Sequence, residues 1–259
     1  MSKTDQLALN SAILVLVLAL GASTAMPSLP GAMVHADFEY YTLALTWQPG
    51  ICDVNEPPPT GGSAPERCAQ GQPHEPLIGL HGLWPDRPQL LIRAGVPVAS
   101  WWKDGCDLLH HSSDPPQLPA ALAAEVASVM PHFRANLLTH EYDKHVQCLG
   151  FDAASFFSVA IAMRQAVAES SFGRYLIVDA GHVARHEDVR TAFMRSFGTL
   201  KGRALQLRCG RNPAGTVVLT QLWIGVRARE LATFPKDQSL AVPRVDEDNC
   251  PTTFLVPSW

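Results

Sequence analysis

The sequence predicts an α+β fold: a single domain in which a partly antiparallel sheet packs against helices. Apolar, β-branched runs lie near both ends of the chain, segments with helical spacing lie between them, and two apolar runs near the C-terminus flank a turn. The chain has 259 residues, of which 47% are hydrophobic and 17% charged. That composition suits one well-buried domain better than two small ones or a disordered chain.

Two strands are predicted in the first third of the chain. The run "FEYYTLALTW" (Phe38 to Trp47) is aromatic, β-branched and apolar, as in a buried strand. The segment "PPPTGGSAPERC" that follows has the composition of a loop. "LIGLHGLWP" (Leu77 to Pro85) predicts a second strand that ends at Pro85, with glycines 79 and 82 leaving open space beside His81.

Helices dominate the predicted middle of the chain. Residues 105–119 form a long loop, and Pro119 then suits the first turn of a helix that runs to about Met130. A second helix is expected through His140–Cys148. A third begins after Asp152, a good N-cap residue, and runs to Ala168.

The C-terminal part mixes both element types. "RYLIVDA" predicts a short strand and "HEDVRTAFMRSF" predicts a helix. "RALQLRC" and "TVVLTQLWIGV" flank a Gly-Arg-Asn-Pro turn, which favours an antiparallel hairpin.

The N-terminus resembles a secretory signal. Lys3 precedes the apolar run Ala12–Leu20, which is too short to span a bilayer, and small residues follow it. We therefore expect a signal peptide at 1–25, with a second candidate cleavage site after Ala36 and a catalytic domain over 37–259. An uncleaved N-terminal anchor is the alternative. After signal removal we expect a periplasmic or secreted monomer without stable membrane association.

Six cysteines behind such a leader predict disulfides in an oxidising compartment. Six thiols allow about 15 pairings, and the sequence alone does not choose among them. The absence of a C-x-x-C pair argues against a zinc ribbon or a redox site, and the absence of an N-x-[S/T] sequon weakly favours a bacterial periplasm.

The segment "HEYDKHVQC" (His140 to Cys148) is unusually dense in chemical groups. With His140 at zero on a helical wheel, Lys144 falls near ~40°, Glu141 near ~100° and His145 near ~140°. The spacing therefore places all four polar groups on one face of the helix.

Zinc binding is the first hypothesis to weigh for this face, because "HEYDKH" differs by one residue from H-E-x-x-H. Here the histidines lie five residues apart instead of four, and a lysine ammonium lies between them. Since an ammonium beside a dication is unfavourable, the sequence argues against a metal and predicts none.

Phosphate chemistry suits the same face better. The formal net charge of −4 predicts no general affinity for nucleic acid, so an anionic substrate needs a local cluster. An ammonium neutralises phosphoryl oxygens, and two histidines in opposite protonation states supply the base and the acid that RNA cleavage requires. His81, at the end of the second strand with Trp84 beside it to stack on a base, is the candidate second histidine.

"IGLHGLWPD" and "HEYDKHVQC" resemble the two signature segments of the ribonuclease T2 family. "YYTLALTWQPGIC" is similar to the strand before the first segment and "VMPHF" to the approach to the second, so the likeness covers roughly Tyr40 to Ala168. The resemblance implies an α+β fold and metal-free cleavage of single-stranded RNA through a 2′,3′-cyclic phosphate, with little base preference and no cofactor.

The resemblance also implies roles for individual residues. It makes His145 the general base and His81 the general acid, gives His140 phosphate binding, and assigns stabilisation of the transition state to Glu141 and Lys144. Two further residues, Trp84 and Asp86, match positions that contact a base. The implied disulfides are Cys106–Cys148, Cys209–Cys250 and Cys52–Cys68.

Two positions depart from the family pattern. Tyr142 replaces the usual tryptophan and is expected to serve packing, since it lies off the catalytic face. Val146 replaces the usual glycine, and a β-branched residue would shift His145 if that position needed a positive φ or close packing.

Three functions remain open at this point. An endoribonuclease is predicted because both histidine positions and the lysine are intact. A catalytically silent homologue that binds RNA or a partner protein, and a zinc hydrolase, are the alternatives.

Overall fold

A computed structural model describes residues 38–54, 68, 76–112, 114–130 and 137–259. The predicted signal peptide and most of the predicted loop before Cys68 lie outside the described residues. Within those ranges, no helix is both long and apolar enough to cross a bilayer.

The described strands form one mixed sheet, as predicted. Its order is β2-β1-β5-β6-β3, with β4 on β5. Every pairing is antiparallel except β5 with β6. The strands are β1 (Tyr40–Trp47), β2 (Ile78–Pro85), β3 (His182–Arg185), β4 (Leu205–Arg211), β5 (Val217–Arg227) and β6 (Thr253–Val256).

Helices cover the sheet and complete the α+β architecture. The helix α6 packs on β1 and β2, α4 packs on α6, and α7 packs on α8. The helices are α1 (Gln48–Val54), α2 (Gln89–Arg93), α3 (Val98–Asp104), α4 (Ala120–Val129), α5 (Leu137–His145), α6 (Ala153–Ala168), α7 (Ser171–Val178) and α8 (His186–Phe197).

One continuous hydrophobic core joins these layers. Its largest fully buried side chains include Trp47, Tyr41, Phe156 and Phe172, which come from the sheet, α6 and α7. Burial of such aromatic and aliphatic surface is the main favourable contribution to folding.

Most predicted elements are confirmed. The first two strands lie where the apolar runs predict them, and β2 ends at Pro85. The helix α6 begins after Asp152, whose carboxylate accepts a hydrogen bond from the amide of Ser155 at 2.8 Å. The hairpin of β4 and β5 is present, although its turn lies at 212–216, slightly later than predicted.

The predicted strand at "RYLIVDA" is wrong, because these residues lie in α7 and the turn after it. The hydroxyl of Ser170 accepts a hydrogen bond from the amide of Gly173 at 3.0 Å and so caps the helix. Phe172 and Leu176, four residues apart, are buried on one face, whereas Val178 is exposed. A short apolar run does not distinguish a strand from a buried helix.

The predicted helix through Cys148 stops earlier, at His145. Val146 has φ −129° and ψ −44°, outside the helical region, and a 3-10 turn at Gln147–Leu149 follows. This break buries Val146 in the core and lets Cys148 bond to Cys106. Tertiary packing therefore overrides the helical pattern.

Several short elements were not predicted: α1, α2, α3, β3 and β6. A 3-10 helix at Gly105–Leu108 also lies within the predicted loop at 105–119. These elements have four to seven residues, and such lengths carry little periodicity.

The disulfides are the three that the family resemblance implies. Cys52 bonds to Cys68, Cys106 to Cys148 and Cys209 to Cys250. The second bond joins the segment after α3 to the turn after α5, directly beside the predicted catalytic helix.

Candidate active site

A cavity of about 640 Å³ lies between the sheet, α3 and α5. All seven predicted catalytic and substrate-binding residues line it: His81, Trp84, Asp86, His140, Glu141, Lys144 and His145. The structure thus brings both sequence motifs to one place.

A β-bulge places His81 on the cavity side of β2. Leu80 pairs with Leu45 and Gly82 pairs with Ala44, so His81 has no partner position on β1. A bulge re-aims the side chains around it. As a result Leu80 is buried in the core, whereas His81 and Trp84 both line the cavity although they lie three residues apart.

The carboxylate of Glu141 is the centre of the site. Its side chain is only 4% exposed. The Oε1 atom lies 3.4 Å from Nε2 of His81, and the Oε2 atom lies 3.9 Å from Nε2 of His145. The indole N–H of Trp84 donates a 2.6 Å hydrogen bond to Oε2. Both imidazoles therefore face one buried carboxylate.

These neighbours keep Glu141 ionised. Burial by itself would raise the pKa of Glu141, but the hydrogen bond and charge of His81, the charge of His145 and the N–H of Trp84 outweigh burial and lower the pKa. The site therefore holds a fixed negative charge beneath two ionisable rings.

Gly82 permits this close approach. A Cβ atom at this position would lie 2.5 Å from Oε2 of Glu141 and 2.5 Å from Nε1 of Trp84. A side chain here would separate the indole from the carboxylate. Glycine is thus required at position 82 of the first motif because Glu141 of the second motif lies so close to it.

His145 is neutral over most of the pH range. Burial, together with the positive charges of Lys144, His140 and His81, lowers the pKa of His145 to about 4, against the opposing effect of Glu141. A neutral imidazole accepts protons, so this ring is prepared to act as a base near neutrality.

His140 and Lys144 occupy the more open part of the same helix. His140 is exposed, and its ring centroid lies 6.3 Å from that of His145. The backbone of Lys144 packs against Gly105, where a Cβ would lie 2.2 Å from the Lys144 carbonyl oxygen and φ is +54°. The neighbouring Cys106–Cys148 bond fixes this contact between the two segments.

Trp84 packs against both imidazoles of the site, in addition to its predicted role in stacking on a base. Its ring centroid lies 5.0 Å from that of His81 and 5.5 Å from that of His145. The indole therefore lies close to both imidazoles while it donates its hydrogen bond to Glu141.

Asp86 lies farther along the cavity wall. Burial raises the pKa of its carboxyl group, and the hydroxyl of Tyr40 donates a hydrogen bond to it. The carboxyl group of Asp86 is thus half-buried and held by Tyr40 at the cavity.

Two residues of β5 complete the site and were missed by the sequence analysis. Oε1 of Gln221 lies 3.1 Å from Nδ1 of His81 and accepts a 2.9 Å hydrogen bond from the indole N–H of Trp223. The Trp223 ring also packs edge-on against Trp84. Both residues lie inside an apolar run, where only their i, i+2 spacing would have indicated a shared face.

A metal-binding arrangement is also present geometrically. Within the described part of the chain, His140, Glu141 and His145 offer ligand atoms that lie within 4.8 Å of one another. Glu141, however, already accepts the hydrogen bond from Trp84, and Lys144 lines the same cavity. Removal of metal ions by a chelator distinguishes the metal hypothesis from the metal-free one.

Both departures from the family pattern are accommodated. The φ of Val146 is negative, so a β-branched residue there causes no backbone strain, and the side chain packs in the core. Tyr142 serves packing, as expected: its hydroxyl donates a 2.7 Å hydrogen bond to the carbonyl of Phe151.

Comparison with known proteins gives a consistent result. The sequence profile described as "Ribonuclease T2 family" matches residues 38–242. Ribonuclease I of Escherichia coli K12 is 29% identical over 269 aligned positions, covering 95% of this chain and 96% of that protein. A probable ribonuclease of Haemophilus influenzae is 29% identical over 130 positions, covering 49% of this chain and 43% of that protein.

Solved structures share the fold. Ribonuclease MC1 from bitter gourd seeds superposes with a TM-score of 0.55 at 19% identity, covering 84% of this chain and 100% of that chain. A ribonuclease-related protein from Calystegia sepium gives a TM-score of 0.56 at 16% identity, covering 86% and 98%. At these identities the superpositions support the fold alone.

Proposed function

The chain belongs to the ribonuclease T2 family, and from this premise we propose that it is a metal-independent endoribonuclease. It cleaves single-stranded RNA by transphosphorylation with little base preference. One observation carries the proposal: two imidazoles on different elements face the two oxygens of one buried carboxylate in a single cavity. The resemblance of this chain to E. coli ribonuclease I over nearly its whole length supports it.

His145 acts as the general base. Its lowered pKa keeps the imidazole neutral at physiological pH, so the free nitrogen of the ring can accept the proton of the ribose 2′-hydroxyl. The 2′-oxygen then attacks phosphorus, and the bond to the departing 5′-oxygen breaks.

His81 acts as the general acid. Its Nε2 faces the ionised Glu141, which favours the protonated ring. The proton passes to the 5′-oxygen as it leaves, and the product carries a 2′,3′-cyclic phosphate. Water later opens this ring with the two histidines in exchanged roles.

Lys144 and His140 supply the positive charge that the transition state requires. Both line the open side of the cavity beside His145, where a phosphate between the imidazoles would lie. Glu141 orients both imidazoles, and Trp84 and Asp86 are the proposed base-contacting residues.

The protein is proposed to work as a monomer in the periplasm or outside the cell. The three disulfides support an oxidising compartment. The signal peptide remains a prediction from the sequence.

The decisive experiment incubates the purified protein with a short single-stranded RNA and with DNA of matching sequence, both in EDTA. We expect RNA fragments that end in 2′,3′-cyclic phosphate and intact DNA, because DNA lacks the internal nucleophile. Activity lost in EDTA and restored by zinc would indicate the zinc hydrolase. RNA binding without cleavage would indicate the catalytically silent homologue.

The pH dependence of kcat/KM should be bell-shaped, since it reports the free enzyme's essential base and acid. The rate should rise with pH through about 4, as His145 loses its proton, and fall at higher pH as the acid loses its own. Initial rates on a short RNA between acid and alkaline pH measure both limbs. A rate that still climbs into the titration range of lysine would contradict the two-histidine mechanism.

A further inference from the structure

Gln221 contacts His81, the proposed general acid, but has no role in the mechanism proposed for the cleavage of RNA. It lies on β5, where it pairs with Thr46 of β1, and its side chain reaches His81 on β2, the strand beyond β1. On β1, which lies between β5 and β2, the residue that pairs with Trp223 is the small residue Ala44. Ala44 pairs in turn with Gly82 of β2. Ala44 and Gly82 leave room for the contact between Gln221 and His81.

The orientation of the Gln221 amide follows from its second partner. An indole N–H only donates hydrogen bonds, so the amide atom 2.9 Å from Nε1 of Trp223 must be the oxygen. The same oxygen lies 3.1 Å from Nδ1 of His81. An amide oxygen only accepts, and therefore Nδ1 of His81 must carry the proton in this contact.

This contact selects one form of the imidazole. With Nδ1 protonated, the neutral ring has a bare Nε2, and any additional proton is carried by Nε2, which faces Glu141 and the cavity. The proton that the acid delivers is thus always on the nitrogen that points toward the substrate. Which nitrogen is protonated is set by the hydrogen bond of the other nitrogen.

From this geometry we infer that Gln221 is a positioning residue: it fixes His81 in the Nδ1–H tautomer and aims Nε2 at the leaving oxygen, with Trp223 locking the amide. The inference rests on the proposed function, because it assumes that His81 is the general acid. Gln221 should therefore affect the rate of the step in which the 5′-oxygen departs and of the corresponding step of ring opening.

The test compares two substrates that differ only in their need for an acid. Cleavage of RNA requires protonation of the 5′-oxygen, whereas a nucleoside 3′-(4-nitrophenyl phosphate) releases nitrophenolate without it. In Gln221→Leu we expect kcat on RNA to fall by roughly 10- to 100-fold. This is the typical loss when a hydrogen-bond partner that orients a functional histidine is removed. KM and the rate on the nitrophenyl ester should stay close to those of the wild type.

A matched control is Gln165→Leu, the same change on the exposed side of α6, where the amide donates to Glu169. This variant should cleave both substrates like the wild type. An equal loss on both substrates in Gln221→Leu would reveal a merely structural role and overturn the inference. An unchanged rate on RNA would overturn it as well.

Two further readouts separate this inference from the proposed function. At alkaline pH, where the ring of His81 is neutral, two-bond ¹H–¹⁵N spectra should show its Nδ1–H tautomer in the wild-type protein and the loss of that tautomer in Gln221→Leu, whether or not the protein cleaves RNA. In Gln221→Glu, the added charge beside Nδ1–H should move the alkaline limb of kcat/KM to higher pH. An Nε2–H tautomer in the wild type, or an unmoved limb, would refute the inference.

Discussion

Replacing either His81 or His145 with alanine is expected to lower kcat/KM on single-stranded RNA by roughly 10²- to 10⁴-fold, the contribution typical of a positioned acid or base. The two rings face the same carboxylate but belong to different elements, a bulged strand and the last turn of α5. Neither can take over the proton transfer of the other. The double variant should therefore lose little more than each single variant, because effects of residues that act together are not additive.

His182→Ala is the matched control for both variants. This histidine is exposed on β3, away from the cavity, and its removal should leave the rate unchanged. Thermal unfolding of all three variants checks that the fold persists. Near-native turnover in His81→Ala or His145→Ala would remove that residue from the mechanism.

Removal of the Cys106–Cys148 bond is expected to lower both the stability and the activity of the protein. The bond closes a loop with a sequence separation of 42 residues, and the chain-entropy relation gives a stabilisation of about 4 kcal/mol for such a loop. The double variant Cys106→Ala/Cys148→Ala should lose that free energy of unfolding in urea titrations. Because the bond also fastens Gly105 against Lys144, the remaining folded protein should cleave RNA more slowly.

The Cys209–Cys250 bond provides the comparison. Its sequence separation of 41 residues predicts nearly the same loss of stability on the same entropy argument. It joins β4 to the segment before β6, and neither cysteine lies in a segment next to α5 in the chain. If both double variants lost activity equally while folded, a positioning role for the first disulfide would be refuted.

The fold class and most long elements were predictable because their signals are local. Alternation or continuous apolarity marked β1, β2, β4 and β5, and the N-cap at Asp152 marked the start of α6. The strand expected at "RYLIVDA" failed because its apolar residues serve a helix whose cap, Ser170, lies just upstream. Whether a short apolar run forms a strand or a helix depends on the elements that pack against it.

The candidate site was predictable to a comparable extent. Helical spacing alone grouped His140, Glu141, Lys144 and His145 on one face, and all four line one cavity. The spacing did not reveal that Glu141 is buried while His140 is exposed. That difference arises from β2 and Trp84, which cover only one side of the helix.

By itself, the sequence determined which chemical groups are present and which of them share a helix or a strand, since both follow from short-range periodicity. Only the tertiary structure decided how the groups meet. The bulge turns His81 to the same side as Trp84, against the alternation of a regular strand, and β5 brings Gln221 to its Nδ1 across 140 residues of chain. Such contacts depend on strand order and register, which long-range packing determines and local pattern does not encode.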